Sequence, residues 1–238
     1  MPLKNKDFFG LRDMSAEDIS YILGTAETMK YVMNQKSKKA PHLQGKSVIM
    51  LFYEQSARAK LAYELAAQHL SANVIDMTNS VHSIEMESLQ DMGQLIDQMG
   101  ADFIILRHPM AGAPKLLADC VDASVINAGD GFNENPGQSL LDLLTIKEQK
   151  GGFEGLKVAI IGDLMHSRVS KSNIWGLTKL GAEVSVSGPP TLMLPEIEKF
   201  GVNVCYDARE AVNNADVILT TRMRMETLDK FFLPSLDE

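Results

Sequence analysis

Four arginines occupy equivalent places in this chain. Arg58 comes shortly after the apolar run Ser47-Val-Ile-Met-Leu, Arg107 after Phe103-Ile-Ile-Leu, Arg168 after Val158-Ala-Ile-Ile-Gly-Asp, and Arg222 after Val217-Ile-Leu-Thr-Thr. In open parallel sheets ligands bind outside the carboxyl ends of the strands, and a guanidinium fork grips carboxylate or phosphate through paired N–H bonds. Four such residues at strand ends predict a cleft for a multiply anionic ligand. Ser56-Ala-Arg-Ala-Lys also falls where a helical pattern begins. The first turn of a helix offers unpaired N–H groups and a positive dipole end, so small side chains there suit a phosphate. A second polar segment, Gly129-Asp-Gly-Phe-Asn-Glu-Asn-Pro-Gly-Gln, joins the strand ending at Asn127 to a helix starting near Pro136, proline being favoured in a first helical turn. Gln138 would face that helix start and could hydrogen-bond a neutral carbonyl or amide.

The elements that must position these residues alternate between strand and helix. Ser15-Ala-Glu-Asp reads as a capping box opening a helix that runs to about Lys36. Strands are expected at 47–53, 73–77, 102–106 and 124–127, with helices at 57–70, 88–99 and 113–119, and a longer helix over 138–150 that ends at Gly151-Gly152. Beyond that pair the pattern predicts strands at 156–162, 183–187, 202–206 and 216–220, and helices at 169–180, 195–200 and 208–214. Strands spaced by helices imply parallel pairing through right-handed crossovers. The expected fold class is α/β, two doubly wound parallel-sheet domains over residues 1–150 and 151–238, with the glycine pair as boundary. The sequence ends eighteen residues after Thr220, so the second sheet is expected to stop with little to cover its edge and the second domain to be incomplete.

Composition narrows the function classes. At 238 residues and 45% hydrophobic content the chain can bury a real core. A formal net charge of −8 argues against nucleic acid or an anionic membrane surface as the main partner, so positive charge must act locally. No segment approaches a membrane-spanning run, and Met1–Gly10 lacks the apolar stretch of a secretion signal. Cys120 and Cys205 lie far apart without metal-ligand spacing, which suits packing residues in a reducing cytoplasm.

In order along the chain, these motifs are similar to those of the aspartate carbamoyltransferases. Phe52-Tyr-Glu-Gln-Ser-Ala-Arg-Ala-Lys resembles that family's F-x-E-P-S-T-R-T-R, Arg107-His-Pro with Gly112-Ala-Pro resembles R-H-P…G-A-P, and Asn127-Ala-Gly-Asp-Gly matches outright. Gly162-Asp-Leu-Met-His-Ser-Arg-Val, Asn173-Ile-Trp and Gly188-Pro-Pro-Thr-Leu carry the likeness through the second half. The sister ornithine enzymes usually have lysine where this chain has Glu54 and lack Gly188-Pro-Pro-Thr, so the aspartate branch fits better. The resemblance implies the two-domain aspartate/ornithine carbamoyltransferase fold, with carbamoyl phosphate bound by 1–150 and aspartate by 151–238. It implies attack of the L-aspartate amine on carbamoyl phosphate, giving N-carbamoyl-L-aspartate and phosphate, in cytoplasmic de novo pyrimidine biosynthesis, with no metal or organic cofactor. By the same resemblance Ser56 and Arg58 would hold phosphate beside Ala57 and Ala59, and Arg107 would bridge phosphate and carbamoyl oxygen. Gln138 would bind the carbamoyl amide, and Arg168 and Arg222 would clamp the aspartate carboxylates, a pairing that favours a dicarboxylate acceptor over a cationic one. Arg58, Arg107, Asn135 and Gln138 form the implied catalytic set. Sites shared between subunits imply a homotrimer or higher oligomer, alone or with a paralogue or regulatory chain, and neither nucleic acid nor membrane as partner.

Departures from the family pattern concentrate in the chemistry. Ala57 and Ala59 replace the threonines of S-T-R-T-R, Asn135 replaces the histidine of H-P-T-Q, Glu85 falls where the K-K-G-E loop has lysine, and Arg224 stands where glutamine is expected in the aspartate subsite. One lost oxyanion-type donor costs roughly 3 kcal/mol, on the order of a hundredfold or more in rate. The family's last strand and H-P-L-P loop would lie beyond Glu238. Two readings therefore stand: a transferase of pyrimidine synthesis, and a catalytically impaired homologue serving in binding, assembly or regulation.

Overall fold

The computed structural model describes residue 3, residues 5–78 and residues 88–221. Strands β1 (Ser47–Phe52), β3 (Phe103–His108) and β4 (Ser124–Asp130) are rich in Val, Ile and Leu and mostly buried, as expected of parallel strands covered on both faces. With β2 (Asn73–Asp76) they form an all-parallel sheet in the order β2-β1-β3-β4. Strands β5 (Lys157–Ile161), β6 (Glu183–Ser187), β7 (Asn203–Val204) and β8 (Val217–Thr220) form a second parallel sheet, ordered β7-β6-β5-β8. Helices α1 (Ala16–Met33), α2 (Ala57–His69), α3 (Leu89–Gln98), α4 (Ala113–Ala118), α5 (Pro136–Lys150), α6 (Arg168–Lys179) and α7 (Ala208–Val212) connect and cover them. The strand edge at β8 leaves Ile218 half exposed. Expected strand 202–206 shrinks to the two residues of β7, and expected helix 195–200 is only a 3-10 turn at Ile197–Phe200. Glu196 adopts φ 58, a left-handed conformation that cannot begin a right-handed helix.

Side chains alternate across the first sheet: Ile49 and Leu51 join Ile104 and Leu106 in one apolar cluster, while Val48, Met50 and Phe52 face Ala67 of α2 in another. The second sheet's cluster holds Val158, Ile160, Val184 and Val186, yet also takes Ile19 and Leu23 of α1 and Leu143 and Ile146 of α5. Two helices encoded before Gly151 thus pack with the strands that follow it. An N-terminal segment binds the two units further. Phe8 forms a parallel bridge along the outer edge of β4, its N–H donating to Val125 O at 2.9 Å, and Leu11 then enters the second cluster fully buried.

Candidate active site

Two helix starts and two arginines define the candidate site. Helices α1, α3 and α6 are capped by the hydroxyls of Ser15, Ser88 and Ser167, as local sequence dictates. Helices α2 and α5 are not: Ser56 and Asn135 hold the cap positions without a side-chain cap bond, so first-turn N–H groups stay available to an anion. The two starts are neighbours, because the Tyr63 hydroxyl of α2 lies against Gly137 of α5. Arg58 and Ala57 are exposed on the first turn of α2, while Ser56 and Ala59 are half-buried.

Register in the first sheet pairs Arg107 with Phe52, at the carboxyl end of β1 and β3. Arg107 Nη1 donates to Ala128 O at 3.1 Å, and its Nη2 lies 3.2 Å from Glu54 Oε2. Arg168 opens α6 in the second unit; its Nη1 donates to Gly131 O at 3.2 Å and its Nη2 to the same Glu54 oxygen at 2.9 Å. Both guanidiniums are largely buried, at 11% and 13% side-chain exposure, and the two cations share one carboxylate. Gly129 makes the convergence possible. It adopts φ +119, and a β-carbon there would stand 3.0 Å from Arg168 Cζ and 3.1 Å from Arg107 Nη1.

The segment from Asn127 to Gln138, which reads locally as a polar loop, is a scaffold for these groups, buried over residues 127–130 and at Glu134. Asn127 accepts from Gly129 N at 2.8 Å and donates to Asp130 Oδ1 at 2.8 Å. Asp130 also accepts from Gly112 N at 2.7 Å and Glu134 N at 3.1 Å. Buried Glu134 accepts from Leu11 N at 2.8 Å, Arg12 N at 3.2 Å and the Ser172 hydroxyl at 2.8 Å; burial pushes its carboxyl above the usual range despite those bonds. Asn135 N donates to Ser172 Oγ at 2.9 Å, which fixes the α5 start to α6. Lys171 Nζ joins Phe132 O (2.5 Å) to Met165 O (2.8 Å), and burial pushes its ammonium pKa down. Two acidic residues four apart among Gly and Asn were the available sequence signal for this scaffold.

Of the sequence-predicted site residues, the structure brings Arg107 and Arg168 together and sets Ser56, Ala57, Arg58, Ala59, Asn135 and Gln138 on the two neighbouring helix starts. Gln138 turns its amide along its own helix to Asp142 at 3.1 Å, a carboxylate that also accepts from Asn173 Nδ2 at 2.8 Å. Glu85, Arg222 and Arg224 lie outside the described residues. Sequence reasoning missed Glu54 as the shared counterion, Gly129 as the gap and Tyr63 as a neighbour of α5. Cys120 and Cys205 are free, half-buried thiols whose pKa burial pushes up. Among the described residues no cluster of three or more His, Cys, Asp or Glu could hold a metal ion, and no helix is long and apolar enough to cross a membrane.

Comparison with known proteins identifies the family. Residues 6–148 match the family model for the aspartate/ornithine carbamoyltransferase carbamoyl-P binding domain, and residues 154–232 the one for the Asp/Orn binding domain. The aspartate carbamoyltransferase catalytic subunit of Acetivibrio thermocellus is 57% identical over 100% of this chain and 77% of its own length. That of Ruminiclostridium cellulolyticum is 56% identical over 100% and 76%. Among solved structures, aspartate transcarbamoylase from Trypanosoma cruzi in complex with carbamoyl phosphate and aspartate superposes with a TM-score of 0.82 at 28% identity, covering 93% of this chain and 74% of that one. Ornithine carbamoyltransferase from Pyrococcus furiosus does so at 0.84 and 28%, covering 96% and 75%. With both family domains matched in order and more than half of its residues shared with catalytic subunits along its whole length, the chain belongs to the aspartate carbamoyltransferase branch of the aspartate/ornithine carbamoyltransferase family.

Proposed function

We propose that the chain binds carbamoyl phosphate through residues 1–150 and L-aspartate through residues 151–238, and transfers the carbamoyl group between them at a rate below that of relatives with a full set of donors. A C–N bond forms between the aspartate amine and the carbamoyl carbon, the C–O bond to phosphate breaks, phosphate leaves with the bonding pair, and the proton that the amine gives up passes to the departing phosphate. Holding two anions side by side and stabilising charge on the carbonyl and phosphate oxygens supplies the catalysis. The observation that carries this reading is the convergence of Arg107 and Arg168, from different sheets, on Gly129 and one Glu54 oxygen. Ser56, Arg58 and the α2 start would receive phosphate, Arg107 would span phosphate and carbamoyl oxygen, Gln138 would leave Asp142 to meet the carbamoyl amide, and Arg168 with Arg222 and Arg224 would take the dicarboxylate. The setting would be cytoplasmic pyrimidine synthesis, in a homotrimer or higher assembly; exposed Tyr31, Met99, Met110 and Leu141 supply apolar surface for subunits to cover.

Steady-state formation of carbamoyl aspartate beside an active enzyme tests the proposal, together with calorimetry using a bisubstrate phosphonate-dicarboxylate. Turnover below the reference enzyme is expected, with binding heat that disappears in Arg168→Ala. Absence of binding, or binding indifferent to that change, rejects it. The second reading, a binding or assembly protein, is favoured by Ala57, Ala59 and Asn135, which together lack two hydroxyls and an imidazole of the family pattern. Tight binding without any turnover would select it.

A further inference from the structure

Helix α2 carries a polar group that none of the roles above uses. Tyr63 lies two turns into the helix with its ring half-buried, edge-on to Phe52 at a centroid distance of 6.5 Å. Its hydroxyl reaches the first turn of α5 only because residue 137 is glycine: a β-carbon there would overlap the hydroxyl oxygen, while standing at an ordinary 3.5 Å from the ring's Cζ. The Arg107 guanidinium is its charged neighbour, and burial pushes the phenol pKa up to about 12, so the group stays protonated at any physiological pH. Among the described residues the hydroxyl makes no hydrogen bond. A phenol O–H seeks an acceptor, and the unpaired N–H groups of the α5 start cannot provide one. Ala59, one turn earlier on the same face, adds no hydroxyl between Tyr63 and the site.

We infer that the Tyr63 hydroxyl donates a hydrogen bond to the carbamoyl oxygen of the bound ligand, at the junction of the α2 and α5 starts. The inference rests on the carbamoyl phosphate reading. It assigns to a residue inside α2 a donor that the resemblance would place on threonine and histidine side chains. Donation needs no proton transfer, so the phenol acts on charge building at that oxygen and not as an acid or base.

The test compares two probes that differ in the amide arm, phosphonoacetamide and inorganic phosphate, by calorimetry on the intact chain. Tyr63→Phe keeps the ring and its contact with Phe52, and its melting midpoint should stay within a degree or two of the parent. Affinity for phosphonoacetamide should fall about tenfold, the loss of one good hydrogen bond, while phosphate affinity holds. Gly137→Ser supplies a sign reversal. In the parent it collides with the phenol oxygen and weakens binding; in the Tyr63→Phe background it occupies the vacated space, returns a hydroxyl and should recover most of the loss. If Tyr63→Phe binds both probes as the parent does, or loses both equally, the inference is overturned. If the parent binds phosphate but not phosphonoacetamide, the carbamoyl phosphate reading falls and takes this one with it.

Discussion

Glu54 and Arg168 meet at 2.9 Å across the two sheets, the carboxylate following β1 and the guanidinium opening α6. The ion pair supplies the site with its own counterion and ties the halves that would hold the two substrates. Glu54→Gln keeps the volume and removes the charge that orients Arg107 and Arg168. Since the carboxylate is about a third exposed, solvent screens part of its effect, and we expect a loss of about 1 kcal/mol in stability, a drop of a few degrees in melting temperature. Affinity for the bisubstrate analogue should fall several-fold with it. Melts at low and high salt check the origin: the gap between parent and variant narrows as salt rises.

Gly129→Ala should separate the two guanidiniums. A methyl at φ +119 carries backbone strain of about 1–2 kcal/mol, and its contacts at 3.0 and 3.1 Å force both arginines outward. Binding of the bisubstrate analogue should weaken at least tenfold in calorimetry while circular dichroism stays that of the parent. Unchanged affinity would show that the two cations need not meet over residue 129.

Restoring donors should restore rate more than binding. Ala57→Thr is placed on an exposed first turn and fits freely; Ala59→Thr is half-buried and must share space with the cluster around Tyr63. Each single change, and Asn135→His, should raise carbamoyl aspartate formation by roughly tenfold, and the triple variant by on the order of a hundredfold or more, short of additivity. A silent triple variant that still binds the analogue would move the defect to Glu85, where Glu85→Lys becomes the next repair.

His108 should make stability depend on mild acid. Burial lowers its pKa below 6.5 against the pull of Glu54 and Asp130, and Met110 N donates to Nδ1 at 3.0 Å, which requires the neutral ring. Its contribution is whole above the unfolded value of about 6.5 and is lost as pH falls from there through the lowered folded value, because the unfolded chain takes up the proton first. His108→Asn, which can still accept from Met110, should flatten the melting-temperature profile between pH 7.5 and about 5.5, the range in which free histidine titrates. An identical slope in both proteins would assign the acid sensitivity elsewhere.

Much of the scaffold was legible in residue order. The interiors of β1, β3, β4, β5 and β6 announce themselves as short runs of β-branched and leucine residues, and Ser15 and Ser88 cap helices at the places their spacing marks. The 3-10 turn at Ile197 was not, because a single left-handed residue at Glu196 leaves no trace in polarity. At the site, strand-end logic located Arg107 and Arg168 but not what joins them. Glu54, Gly129 and Glu134 owe their roles to partners 22 to 123 positions away or to space left by a neighbour, and residues alone display neither. Asp130 and Glu134 look like solvated loop carboxylates until their backbone donors, from Gly112 and Leu11, come into view.

The segment before α1 carries a consequence for how the molecule is made. Leu11 sits in the second cluster, its carbonyl and that of Met14 held by Lys179 Nζ at 2.8 and 2.7 Å, while Gly10 leaves the room that the Glu134 carboxylate fills. Lys179 lies 168 positions after Leu11. During synthesis at about 5–20 residues per second, residues 10–14 therefore wait on the order of ten seconds or more for their seat to emerge. Until then α1 and α5 hold apolar faces without the strands they cover. The first sheet can close early, but a nascent chain stalled before α6 would display Ile19, Leu23, Leu143 and Ile146 to chaperones as one unfinished surface.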